Sequence, residues 1–180
     1  MKNSFLNVIG MMTGTSMDGI DISLVQTDGL DLKNIKNYFF EYDHNQKKKL
    51  NQILKNKDDI IRNNKLYEEA NNFVTKLHLK SLKNFSLRDN IDLIGFHGQT
   101  IHHDPVKKKS IQLGNPYLLS KESKKNIIYS FRSEDIKSGG QGAPIAPVYH
   151  KYLMDKFSFK LPSCFLNIGG ILNLTYWDGK

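Results

Sequence analysis

Leu66, Ala70, Phe73 and Leu77 recur at helical spacing, the pattern runs on towards Leu82 and Phe85, and shortly after it stands the apolar hexapeptide IDLIGF. The first part predicts a helix over about residues 65–85 with one apolar stripe turned to a core. IDLIGF, residues 91–96, is apolar on both alternations, as in a short strand covered on both faces. A helix feeding such a strand restricts the chain to layered α/β architectures. Asp89-Asn90 separates the two. A stripe at this spacing is a core-packing feature before it is a cofactor site.

The flanking sequence fits that layering. Residues 5–12 and 19–27 predict an antiparallel hairpin, Asp28-Gly29 a second turn, and residues 32–42 a third strand carrying Tyr38, Phe39, Phe40 and Tyr42. Three such strands suit a meander at the edge of a mixed sheet. Residues 45–64 are polar and Lys-rich, with anchors at Leu50, Ile53, Leu54, Ile60 and Ile61, and read as one or two short surface helices. HGQTIHHDP, residues 97–105, reads as a polar loop directly after the covered strand, where open α/β sheets gather ligands. A strand at 110–113, a helix at 116–124 and a strand at 126–129 follow. SFRSEDI then reads as a loop leading into SGGQGA, and Pro144 opens a helix over 144–156 that buries Ile145, Val148, Tyr149, Tyr152 and Leu153. Residues 164–168 read as a buried strand, Gly169-Gly170 as a turn, and 171–176 as a return strand. No repeat, low-complexity tract or linker interrupts the chain. The fold class is α/β: a mixed sheet with an opening antiparallel hairpin and flanking helices.

Length and composition narrow the function classes. At 180 residues the chain is long enough for one domain with a real core, or for part of a larger protein. The net charge is +8, most of it Lys at 47–49, 107–109 and 121–125. These clusters lack the interleaved aromatics and Arg of nucleic-acid readers, so they read as solvated faces and no nucleic-acid partner is expected. The one cysteine, Cys164, excludes an internal disulfide and any multi-Cys metal site. It lies in SCFLNI and reads as a small buried hydrophobe. No apolar run approaches the ~20 residues of a membrane span, and no signal-peptide pattern opens the chain. A reducing cytoplasm is the expected compartment.

VIGMMTGTSMDGID, residues 8–21, carries the first chemical signal. Its glycines permit positive φ and close approach, and Thr13, Thr15 and Ser16 supply hydroxyls beside main-chain N–H groups. The stretch reads either as a phosphate-binding hairpin or as an ordinary hairpin with Asp-Gly turn chemistry. Three more Gly-bearing polar segments, HGQT, GGQGAP and NIGGILN, each adjoin an apolar strand. Such a set suggests a site assembled from strand ends. His97, His102, His103 and Asp104 also raise a metal site, although adjacent His102 and His103 would diverge on a strand.

MTGTSMDGID (12–21), GFHGQTIHHDP (95–105), IQLG (111–114), Asp135-Ile136, GGQGAP (139–144) and LNIGGILNL (166–174) together resemble the N-terminal half of the anhydro-N-acetylmuramic acid kinase family. That family belongs to the actin/hexokinase-like ATPase superfamily. The resemblance covers essentially the whole chain. It implies a ribonuclease H-like lobe spanning residues 1–180, with the second lobe absent. It implies ATP-dependent phosphorylation of 1,6-anhydro-N-acetylmuramic acid at O6, with water opening the anhydro ring, to give N-acetylmuramic acid 6-phosphate in cell-wall sugar recycling.

The family's ATP-phosphate segment maps onto Gly14, Thr15, Ser16, Met17, Asp18, Gly19, Ile20 and Asp21. Mg²⁺ would bridge the phosphates, with Asp18 or Asp21 on its water shell; Asp18 also reads as a simple turn-former. His97, Gln99 and Thr100 are candidate sugar contacts, His97 alternatively being a base or a structural hydrogen bonder. Arg132 would meet the lactyl carboxylate or a phosphate, or else pair with Glu134 or Asp135. Gln141 and Gly142 would offer main-chain groups at a helix N-terminus, and Asn167, Gly169 and Gly170 would border the cleft. The resemblance allows a homodimer.

Two family features differ here: SFRSED stands in place of a basic run, and His102 in place of a Trp. The family's DTGPxN-type segment, whose Asp activates the attacking water, is expected beyond Lys180. The alternative expectation is therefore an inactive or partner-dependent nucleotide- or sugar-binding fragment.

Overall fold

The computed structural model describes residues 4–85, 90–168 and 172–180. It divides into two compact units, Met1–His103 with Ile111–Ser130, and Asp104–Ser110 with Phe131–Lys180.

The first unit is built on a five-stranded mixed sheet. Strands β1 (Leu6–Met12), β2 (Gly19–Thr27) and β3 (Leu32–Glu41) form the expected antiparallel meander. After helices α1 (His44–Lys55), α2 (Lys57–Arg62) and α3 (Asn64–Phe85), β4 (Leu93–Phe96) pairs parallel with β1. Strand β5 (Gln99–Asp104) and β6 (Lys109–Leu113) make a separate two-stranded sheet. Helix α4 (Pro116–Ser123) then leads to β7 (Asn126–Ile128), parallel to β4. The sheet order is β3-β2-β1-β4-β7.

Period-two alternation sends Ile9, Met11, Ile20, Ile22, Leu24, Ile94 and Phe96 to one face of the sheet, and all are buried. Ala70, Val74, Leu77, Leu82 and Phe85 of α3 join them in one core. Each fully buried aliphatic or aromatic side chain contributes roughly 1.5–3 kcal/mol. Helix α1 starts at a capping box in which Asp43 accepts from the Gln46 N–H and Gln46 returns a bond to the Asp43 N–H. Lys36 Nζ donates to Phe85 O at 2.9 Å and so closes the last turn of α3.

Two expectations change in this unit. HGQTIHHDP is not a loop: Gly98, at φ 71°, turns the chain and β5 begins at Gln99. Polar residues at both phases of the alternation concealed the strand, in which Gln99 and Ile101 are buried and His102 and His103 take opposite faces. Strand β4 is buried at Ile94 and Phe96 but only half-buried at Leu93 and Gly95.

The second unit contains α5 (Phe131–Lys137), α6 (Pro147–Lys156), β8 (Ser163–Asn167) and β9 (Asn173–Trp177). SFRSEDI is therefore helical, and Arg132 stands on a helix rather than in a loop. Helix α6 begins at Pro147, not Pro144. A helix started at Pro144 would reach Pro147 where a main-chain N–H donor is required, and proline has none. Met154 is buried, whereas Val148 is 80% exposed and Tyr149 and Ile145 are also exposed.

Strands β8 and β9 are antiparallel, with Cys164 opposite Tyr176 and Leu166 opposite Leu174. Phe165, Thr175 and Trp177 face α6: His150 stacks on Phe165 at 4.7 Å and hydrogen-bonds Thr175 Oγ1 at 2.8 Å, and Lys151 lies over Trp177. Cys164, Leu166, Leu174 and Tyr176 lie on the other face and are exposed, so the buried strand expected at residues 164–168 is not observed.

Candidate functional site

The turn between β1 and β2 is held from below by a buried hydrogen-bond chain. Thr13 Oγ1 donates to Gln99 Oε1 at 2.6 Å, and Gln99 Nε2 donates to Gly14 O at 3.3 Å and Thr100 O at 3.4 Å. The Tyr42 N–H donates to Asp18 O at 2.9 Å. Thr13, Gln99 and Tyr42 are all at most 2% exposed.

The turn itself bends through Met17, at φ 52°, whose N–H reaches Gly14 O at 3.4 Å. That left-handed backbone costs on the order of 1 kcal/mol for a residue with a side chain. Burial of Met17 in the core offsets it. Gly19 follows because a Cβ there would stand 2.4 Å from Phe40 O and 2.5 Å from the Phe39 ring. Thr15, Ser16 and Asp18 are exposed, Gly14 is half-buried, and Ile20 belongs to the core. Ser16 Oγ donates to Asp18 Oδ1 at 2.8 Å. Asp21 is exposed at the start of β2, and partial burial, with the Asp18 carboxylate second, raises its pKa above the ordinary value.

The HGQT segment lies against this turn. The His97 N–H donates to Met11 O at 3.2 Å, and its Nδ1 bonds to Gly98 O at 2.7 Å. A carbonyl only accepts, so Nδ1 carries the proton. A Cβ on Gly98 would meet Leu113 O at 2.4 Å, which explains glycine at the step from β4 to β5. Thr100 Oγ1 accepts from Gln112 Nε2 at 3.3 Å.

The remaining sequence-predicted residues lie in the second unit. Arg132 donates from a guanidinium nitrogen to Gly142 O at 2.7 Å, and burial lowers its pKa. The Gly142 N–H donates to Asp135 Oδ2 at 2.7 Å, and Gly142 is buried while Gln141 is exposed. Gln141 and Gly142 precede α6 by several residues and so are not at its first turn. Asn167 ends β8, exposed and paired with Asn173. Gly169 and Gly170 lie outside the described residues. Among the described residues no three His, Cys, Asp or Glu side chains come together as a metal site. No helix among them is long and apolar enough to cross a membrane.

Sequence reasoning missed Tyr42 as a site residue. It also missed the buried polar stripe of α3, where Asn71 Oδ1 accepts from the Gly114 N–H and Thr75 Oγ1 from the Asn115 N–H, both at 2.8 Å. The spacing of Asn71, Thr75 and His78 on the apolar face was an available signal. Nothing local distinguished Tyr42 from its aromatic neighbours.

A meander whose first turn is an exposed glycine- and hydroxyl-bearing cradle, continued by parallel β1, β4 and β7 under helices, is the arrangement of an actin/hexokinase-like ATPase lobe. A family model described as anhydro-N-acetylmuramic acid kinase matches residues 6–178, and the chain belongs to that family.

A protein of that name from Pelagibacter ubique (strain HTCC1062) is 41% identical over 179 residues, covering 95% of this chain and 47% of that protein. One from Rhodopseudomonas palustris (strain BisB18) is 34% identical over 183 residues, covering 97% and 50%. One from Agrobacterium fabrum is 38% identical over 179 residues, covering 93% and 48%. The chain spans about half the length of the curated relatives it matches.

Proposed function

We propose that residues 1–180 form the ATPase-like lobe of a sugar kinase and supply its phosphate-binding turn and part of its sugar site. The activity is ATP-dependent phosphorylation of 1,6-anhydro-N-acetylmuramic acid at O6, with hydrolytic opening of the anhydro ring to N-acetylmuramic acid 6-phosphate. The observation that carries this reading is the buried contact of Thr13 and Gln99, which brings the GTSMDG and HGQT segments into one site.

Phosphoryl transfer depends on positioning and charge stabilisation. The Gly14–Ser16 backbone, exposed at Thr15 and Ser16, and the hydroxyls of those two residues suit phosphate oxygens. Asp18 and Asp21 are hard oxygen donors; Asp21 is raised by partial burial first and by the Asp18 charge second, and a nearby divalent cation would offset both, so the pair fits Mg²⁺. When bound, Mg²⁺ neutralises phosphate charge. His97 and Thr100 are the sugar contacts of the first unit in this reading. Gln99 serves the sugar site through the turn it fixes. The same reading places the protein in the cytoplasm and admits a homodimer.

Calorimetric titration with MgATP and with the anhydro-sugar tests this. Saturable binding of both is expected, and Asp18→Ala should weaken MgATP about tenfold, or about 1.4 kcal/mol. Failure to bind either ligand, or equal MgATP affinity in parent and variant, removes the reading. Binding without a phosphorylated product supports the narrower role of a nucleotide- and sugar-binding portion.

A further inference from the structure

Gln99 belongs to the HGQT segment, yet both hydrogens of its amide are used inside the protein. Its Nε2 faces two carbonyl oxygens, Gly14 O at 3.3 Å and Thr100 O at 3.4 Å, and carbonyls only accept. That fixes Oε1 on the other side, where it takes the one proton of the Thr13 hydroxyl at 2.6 Å. Gln99 is 1% exposed and Thr13 2%, so this amide lies beneath the surface that a sugar would meet. The fold leaves Gln99 little latitude. The His97 N–H is held on Met11 O, and a Cβ on Gly98 would stand 2.4 Å from Leu113 O.

The bond to Gly14 has a consequence at the next residue. A trans peptide sets its C=O and N–H on opposite sides. The Gly14–Thr15 peptide is trans, and Gln99 draws its carbonyl inward. The Thr15 N–H is therefore aimed outward, beside the exposed Thr15 and Ser16 side chains. An outward N–H among hydroxyls suits a phosphate oxygen. The group that aims it comes from the segment read as a sugar contact.

We propose that Gln99 is a positioning residue of the phosphate turn and not a sugar contact: through Gly14 O it aims the Thr15 N–H at phosphate, and Thr13 locks its amide. The consequence for nucleotide binding rests on the kinase reading, but the geometry does not.

Two readouts test this role. The first needs no ligand. The Met17 N–H closes the turn on Gly14 O at 3.4 Å, so its hydrogen exchange follows how firmly that carbonyl is held. Gln99→Met keeps the length of the side chain and removes its hydrogen bonds; Thr13→Val removes the hydroxyl that orients the amide. Each should accelerate exchange at Met17 about tenfold while α3 and β4 keep the parent's rates. Thr13→Ser retains the donor and should restore the parent rate. The Gln99→Met/Thr13→Val double variant should be no worse than Gln99→Met alone, because the two residues share one bond. Should Gln99→Met lose protection throughout β1 and β4, the Thr13→Val and Thr13→Ser pair decides.

The second readout is calorimetric. Gln99→Met and Thr13→Val should each weaken MgATP about tenfold and leave the affinity for the anhydro-sugar within about twofold. A sugar contact would show the reverse. Unchanged Met17 exchange in both variants, additive single variants, or a loss of sugar affinity as large as that for MgATP would overturn the positioning role. If the parent protein binds no MgATP, the kinase reading fails while Met17 exchange still decides whether Gln99 holds the turn.

Discussion

Asp18 and Asp21 sit three residues apart, on a tight turn and the strand leaving it. The Asp21 pKa rises through partial burial first and the Asp18 charge second. The folded chain thus holds this proton more tightly than the unfolded chain does. Its contribution to stability is present at acid pH and is lost as pH climbs from the ordinary carboxylate value of 3.8 through the raised one. Asp21→Asn should accordingly be more stable than the parent at pH 7, and the two should converge near pH 3. Thermal melts across that range measure it, and a difference that persists undiminished at acid pH would contradict a raised Asp21 pKa as its cause.

Helix α3 shows the same physics inside an element. It packs an apolar stripe against the sheet, yet the same face carries Asn71, Thr75, His78 and Ser81, all buried. Asn71 and Thr75 are used to hold the Gly114–Asn115 step, and Asn115 in turn caps α4. His78 stacks edge-on against Phe96 at 4.8 Å, with Nδ1 bonded to Val74 O and Nε2 without a partner. Burial, with a smaller effect from His97, lowers its pKa to about 4 from the usual 6.5. Between those values the unfolded chain takes up a proton that the folded chain refuses. Stability is therefore present above pH 6.5 and declines as pH falls towards 4, by up to about 3 kcal/mol. Denaturant titrations should record that decline, and His78→Leu should remove it, because the aliphatic side chain has nothing to titrate.

At the scale of the whole molecule the two units differ in how they are built. The first buries one face of a five-stranded sheet against α1, α2 and α3. The second rests on a two-stranded sheet with Cys164, Leu166, Leu174 and Tyr176 exposed along one face. Isolated two-stranded pairings are marginal in water, whereas a sheet with a covered face is not. Amide exchange should therefore be slowest in β1 and β4 and markedly faster in β8 and β9, near the rate set by local opening. Equal protection of the two sets would show that the units unfold as one.

Much of this was legible from residue order because it depends on local physics. Period-two and helical spacing announced the meander, α3 and β4, and glycine with hydroxyl chemistry marked the first turn. Pro147 also forbade the helix start expected at Pro144, a constraint visible in APIAP. Strand β5 was hidden because its buried residue at the first position is a glutamine, whose burial depends on partners 85 and 86 residues away. The exposure of Cys164 was hidden because an apolar run does not reveal which of its faces a helix will cover.

The sequence by itself determined the meander, α3 and β4, the family and the chemical character of the opening turn, since these follow from spacing, composition and side-chain type. The tertiary structure alone decided that Gln99 faces inward to join Thr13 and Gly14, that the Tyr42 N–H holds Asp18 O, and that His78 is sealed beside Phe96. Those outcomes depend on which distant donors and acceptors remain when water is excluded, and a linear order of residues does not carry that information.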